Sequence, residues 1–217
     1  IFYLGNVDHM QSNYPEAKAL YGEGLTLRRK IGDKQGIAES LSSLGWIAMY
    51  EVNYEAARAL YNEALTIRRE IGHKQGIAQS LVNLGGVAST QGDYATAQSL
   101  FNESLIIFRQ IGDKSGIAAL LNSLGSVAGQ QGDYEQAKAL KNESLMLYRE
   151  MGAKWSIANG LLSLGDVASM QGDYTTARAL SEESLVISRE LGDKENIAVL
   201  LLNLGKDACL QGDYAAG

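Results

Sequence analysis

The tetrapeptide QGDY stands at 91–94 and returns at 131–134, 171–174 and 211–214. A glycine, a carboxylate and a phenol at fixed spacing could make a phosphate loop, a metal site or a catalytic dyad. A phosphate loop requires GxxxxGK[ST], or GxGxxG behind a strand, and the sequence has neither. Earlier copies read QSNY at 11–14 and EVNY at 51–54. There the glycine is lost while Asp becomes Asn, a substitution that keeps turn chemistry and discards ligand chemistry. Gly92 suits a helix end that turns left-handed, and Asp93 suits an N-cap, accepting from free N–H groups of the next helix. Tyr94 can then pack across the pair. The motif is expected to be a turn and a cap.

A second glycine–acid–lysine element, IGDKQG at 31–36, is echoed as IGDKSG at 111–116. Asp33, Asp113 and Asp193 can cap the helix that follows, while His73 and Ala153 fill the same column in other copies. A catalytic carboxylate does not exchange with alanine. His9 and His73 stand far apart with no HExxH or Cys partner, so no metal site and no cofactor are expected. No GxSxG elbow appears. The sequons at Asn102–Ser104 and Asn142–Ser144 lie within a helical pattern. No residue is assigned a catalytic role, and the chain is not expected to be an enzyme.

Bulk composition narrows the partners. A net charge of −6 argues against nucleic acid, which calls for a basic stripe. No run nears the roughly 18–20 apolar residues of a membrane span. Cys209 is the one cysteine, which favours a reducing, cytoplasmic setting. Pro15 is the one proline, as a largely helical chain requires. The opening IFYLGNVDHM is no signal peptide; like the closing QGDYAAG, it breaks into a helical pattern, as in a fragment of a longer protein.

The elements that carry these motifs repeat every 40 residues without insertion or deletion. Glycine recurs from Gly5 and Gly45 to Gly205, each behind a leucine, and tyrosine from Tyr14 to Tyr214. Ile37, Ala38, Leu41, Leu44, Ile47 and Ala48 form one face of a first helix. Tyr54, Ala57, Leu60, Tyr61, Ala64, Leu65 and Arg68 form that of a second. Helices of about 15–18 residues are expected. Gly45 and Ala48 should face Ala57, because small residues let two backbones approach. We expect one array over 1–217: a partial repeat 1–35, repeats 36–75, 76–115, 116–155 and 156–195, and a partial repeat 196–217.

The order Leu41, Leu44, Gly45, Ala48, Ala57, Tyr61, Ala64 resembles the tetratricopeptide repeat, a helix–turn–helix usually of about 34 residues. The longer period is similar to the extended form of Pins/LGN-like scaffolds and bacterial signalling arrays. The resemblance implies an all-α fold: a right-handed α-solenoid, or superhelix, of stacked antiparallel helix pairs with about 11 helices. Two columns depart from the family. Arg29, Arg69, Arg109, Arg149 and Arg189 replace its proline, which lets the second helix run on. The aromatic column Tyr21, Tyr61, Phe101 gives way to Lys141 and Ser181, which predicts looser interfaces toward the C-terminus.

The resemblance further implies a concave groove lined by first helices, holding a partner peptide or helix. Counted from the fixed glycines, its candidates are Trp46, Met49 and Tyr50, then Val82 and Asn83, then Asn122 and Ser126, Asn159 and Asp166, and Asn203 and Lys206. Carboxylate-clamp members set lysine, arginine and asparagine at several such positions; here only Asn6, Asn83, Asn203 and Lys206 match, so no clamp is expected. Trp46 and Tyr50 have the character of a binding hot spot, unless Trp46 merely packs on Phe2 or Met10. Glu39, Asp166 and Lys206 are the groove's expected charges. The resulting expectation is a non-catalytic scaffold for a protein or peptide partner. Two alternatives are a sensor segment of a larger bacterial signalling ATPase or transcriptional regulator, and head-to-tail self-association through uncapped ends.

Overall fold

The structure, a computed structural model, describes residues 14–210, and every element among them is helical. They divide into two compact units, one ending at Asp113 and the other beginning at Lys114. The first unit holds α1 (Tyr14–Ile31), α2 (Lys34–Tyr50), α3 (Tyr54–Glu70), α4 (Lys74–Thr90) and α5 (Tyr94–Ile111). The second holds α6 (Lys114–Gln130), α7 (Tyr134–Glu150), α8 (Lys154–Met170), α9 (Tyr174–Leu191) and α10 (Lys194–Leu210). At 17 or 18 residues each, the helices match the expected length. The eleventh expected helix falls on residues outside those described.

The suspected motifs are turns. Gly92, Gly132 and Gly172 have φ of 79°, 84° and 80°, the left-handed region that glycine enters without a Cβ clash. The following acid caps the next helix: the N–H groups of Thr96, Gln136 and Thr176 donate to Asp93, Asp133 and Asp173 at 3.1, 3.0 and 3.1 Å. Asn53 receives the N–H of Ala56 in the same way, at 3.1 Å. Val52, in place of the glycine, is nevertheless held at φ 59°. The other loop type behaves alike. Gly36 and Asn196 donate to Asp33 and Asp193, both at 3.0 Å, whereas His73 and Ala153 give their helices no side-chain cap.

Packing follows the repeated small residues. Ala48 and Ala57 share a core cluster with Tyr61, Leu81 and Val87. Gly45 lies beneath Tyr61 and Gly85 beneath Phe101, so closely that a Cβ at either would sit under 3 Å from the ring. Buried Ser104, Ser144 and Ser184 donate to the carbonyls of Ala78, Ala118 and Ala158, at 3.0, 2.7 and 2.8 Å. The arginine column lies in the last turn of the second helices and bridges repeats: Arg29 to Glu63, Arg69 to Glu103 and Arg149 to Glu183, at 2.6–2.8 Å. Lys34 with Glu70, Lys114 with Glu150 and Lys154 with Glu190 form a parallel row. Exposed pairs of this sort contribute about 0.2–1 kcal/mol each, so burial dominates.

The aromatic column keeps its close fit at Lys141 and relaxes at Ser181. Lys141 is 3% exposed and Ser181 is 2% exposed. The butyl stem of Lys141 lies over Gly125, where a Cβ would meet its Cγ at 2.8 Å. Ser181 lies close to Gly165. The lysine stem fills the space that a ring fills elsewhere, whereas a Cβ at Gly165 would meet Ser181 Oγ and the Ala177 carbonyl only at 3.4 Å, so the expected loosening shows locally at Ser181.

Candidate functional site

In the first unit, Trp46 and Tyr50 lie one turn apart on α2, and Tyr14 of α1 reaches both. Ring centroids are 5.7 Å apart for Tyr14–Trp46, 4.1 Å for Tyr14–Tyr50 and 6.4 Å for Trp46–Tyr50. Trp46 is half-buried and Tyr50 exposed, so the group offers aromatic surface. Met49 packs against the core cluster of Ala48 and Tyr61. Phe2 and Met10, on which the alternative reading packs Trp46, lie outside the described residues, as does Asn6. On α4, Val82 and Asn83 are half-buried, and Gln79 Nε2 donates to Asn83 Oδ1 at 3.2 Å.

In the second unit the candidates converge on a residue that the repeat pattern places in the core. The ammonium of Lys141 rises from α7 and donates to Asn122 Oδ1 at 3.2 Å and Ser126 Oγ at 2.8 Å, both on α6. Its third donation goes to Ser163 Oγ on α8. The first helices that meet here are direct neighbours, α6 with α8 and α8 with α10. Asp166, one turn beyond Ser163 on α8, accepts from Asn203 Nδ2 of α10 at 2.9 Å. Lys206 is exposed and acts on Asp166 through space. Asn159 is turned to its own helix, donating to the Trp155 carbonyl at 2.9 Å.

Burial sets the electrostatics of this cluster. It pushes the Lys141 ammonium down to about 8, against the upward pull of Asp166, because removal from water disfavours the charged form. The Asp166 carboxyl is raised by the protein crowding it, although solvent still reaches it. Lys141 and the Asn203 hydrogen bond work in the opposite direction. Asp207, buried on α10, accepts from Ser169 Oγ at 2.7 Å. The expected set of charges, Glu39, Asp166 and Lys206, therefore lacked the two buried ones, Lys141 and Asp207. The available signal was a lysine standing in a column of rings.

Among the described residues, no group of three His, Cys, Asp or Glu is placed to hold a metal ion. No described helix is long and apolar enough to cross a membrane. Neighbouring helix pairs, glycine-seated rings and capped turns define an all-α array of the solenoid class. The sequence matches the tetratricopeptide repeat family over residues 1–70, 76–150 and 156–216. The chain belongs to that family.

Solved structures agree on the fold. BtubC (BKLC) from P. vanneervenii is similar with a TM-score of 0.81 at 19% identity, covering 94% of this chain and 87% of that one. A Rap protein complexed with Competence and Sporulation Factor gives 0.79 at 17%, covering 96% and 62%. A signal transduction ATPase with numerous domains, carrying a tetratricopeptide repeat sensor, from Pyrococcus horikoshii gives 0.76 at 17%; it covers 90% of this chain and 31% of that one. No curated protein matches the sequence.

Proposed function

We propose that the chain is a non-catalytic interaction array whose first helices receive a peptide or helix. The observation that carries this reading is how the asparagines of those helices are held. Each is fixed at one end by its own protein and keeps the other end unused. Asn83 and Asn122 give up Oδ1, to Gln79 and Lys141, and keep Nδ2. Asn159 and Asn203 give up Nδ2, to the Trp155 carbonyl and Asp166, and keep Oδ1. In the second unit alone, amides of both polarities match the alternating N–H and C=O groups of a partner backbone. In the first unit, Trp46, Tyr50 and Tyr14 supply an aromatic anchor of the kind that dominates binding energy.

The columns that repeat are consumed in packing, while these residues vary from copy to copy. That division suits a partner-specific surface on a shared scaffold. The solved neighbour in complex with Competence and Sporulation Factor supports the reading by likeness of fold. A second reading, the sensor segment of a larger signalling protein, draws support from the likeness to a protein with such a repeat sensor.

Selection from a random peptide library, followed by calorimetry, tests the first reading. Binders should lose at least about tenfold in affinity on Trp46→Ala or Asn83→Ala, an effect of ~1.4 kcal/mol. Binders indifferent to both substitutions, and to Asn122→Ala, would overturn it.

A further inference from the structure

We infer that the second unit carries an anion-receiving subsite over Lys141, built for a carboxylate side chain of the partner. This rests on the reading of the array as a binding surface and names the chemistry of one part of it.

Hydrogen-bond capacity defines the subsite. An ammonium has three donors and no acceptor, and Lys141 uses all three on Asn122 Oδ1, Ser126 Oγ and Ser163 Oγ. The Ser126 hydroxyl donates onward to the Asn122 carbonyl at 3.1 Å. The two Nδ2 hydrogens of Asn122 and the Ser163 hydroxyl hydrogen remain, and neither group has a further partner among the described residues. The equivalent serines behave differently: Ser43 and Ser123 donate to carbonyls four residues back, Glu39 and Ala119, at 3.1 Å. Lys141 has drawn the acceptors inward. What the surface keeps around them is donors, above a buried cation.

A buried charge is costly unless paired. The partners of this ammonium are neutral, and Asp166 acts on it through space without an ion pair. A carboxylate seated on Asn122 Nδ2 and Ser163 Oγ would supply the missing negative charge and satisfy the remaining donors with charge-assisted hydrogen bonds. A carbonyl would satisfy the donors alone. A cationic side chain would meet Lys141. The titratable groups facing the site are Asp166 of α8 and, acting on Asp166, Lys206 and Asp207 of α10; α6 brings Asn122 and Ser126. Asp166 opposes an incoming anion, so its removal should favour one.

The test is an NMR titration of the whole chain with sodium acetate, following the Asn122 side-chain amide and the Lys141 side chain. Acetamide and sodium chloride at matched ionic strength serve as comparison probes. Acetate should give a saturable shift at both residues, and chloride and acetamide should not. Lys141→Met should weaken the response about tenfold or more, Ser163→Ala should weaken it with Lys141 intact, and Asp166→Asn should strengthen it. Affinity should fall between about pH 7 and pH 9 as the ammonium loses its proton. An equal response to acetamide, or one unchanged in both Lys141→Met and Ser163→Ala, overturns the inference. In that case Trp46-dependent peptide binding would still stand. Saturable acetate binding without any peptide binder would instead remove the array reading and leave the subsite.

Discussion

The ring of Phe101 lies so close over Gly85 that a methyl group on the glycine would stand 2.5 Å from its Cε1 atom. The ring is buried and cannot withdraw without leaving a void. Gly85→Ala should therefore cost about 1–3 kcal/mol, as overpacking does. Gly86, the next residue in the same helix, has open space where an alanine methyl would stand, with nothing within 4 Å. There alanine should stabilise by about 0.5–1 kcal/mol through helix propensity. Urea midpoints of the two variants should move in opposite directions.

Val52 is held at φ 59°, where Gly92 one period later has φ 79°. A left-handed residue with a Cβ costs roughly 1–2 kcal/mol, and glycine's greater freedom when unfolded cancels roughly 0.5–1 of that. Val52→Gly should stabilise by about 1 kcal/mol net. The valine is exposed, so little packing is lost. An unchanged or lower melting temperature would show that the turn relaxes around valine.

His73 occupies the cap position without capping, while Asp33 in the same column takes the Gly36 N–H at 3.0 Å. His73→Asp offers Gly76 the same acceptor. A gain of about 0.5–2 kcal/mol is expected, measured by thermal or urea unfolding.

Lys141 makes stability depend on pH in an unusual sense. Its folded value, about 8, lies below the ordinary 10.5, so between those values the unfolded chain binds more protons. Stability should then rise as pH climbs from about 8 toward 10.5, by a few kcal/mol at most. Lys141→Met should flatten that part of the curve. A wild-type curve that falls throughout the window, with the variant following it, would contradict the assignment.

The fold was legible because glycine, leucine, alanine and tyrosine recur in register and each has a local duty, whether turn, seat, contact or cap. The helix stripe even placed Arg68 inward, where it is buried and donates to Ser80 at 2.6 Å. The candidate site was less legible. Periodicity gave Lys141 a core position but not where a flexible stem would carry its charge. That depends on Gly125 admitting the stem and on Asn122, Ser126 and Ser163 offering acceptors. A trade between columns twelve residues apart went unread. Arg28 with Ser40 and Arg68 with Ser80 become Phe108 with Leu120, then Tyr148 with Gly160.

The ion pairs that join second helices each link one repeat to the next, as Arg29 to Glu63 and then Arg69 to Glu103 do in the first unit. Nothing so arranged shares a load. Pulled from its ends, the unit should yield one junction at a time, each step releasing the contour of a 40-residue repeat, roughly 14 nm of extended chain. In a force trace this would be a sawtooth of modest, even teeth, the response of an extensible tether that shortens again when tension falls.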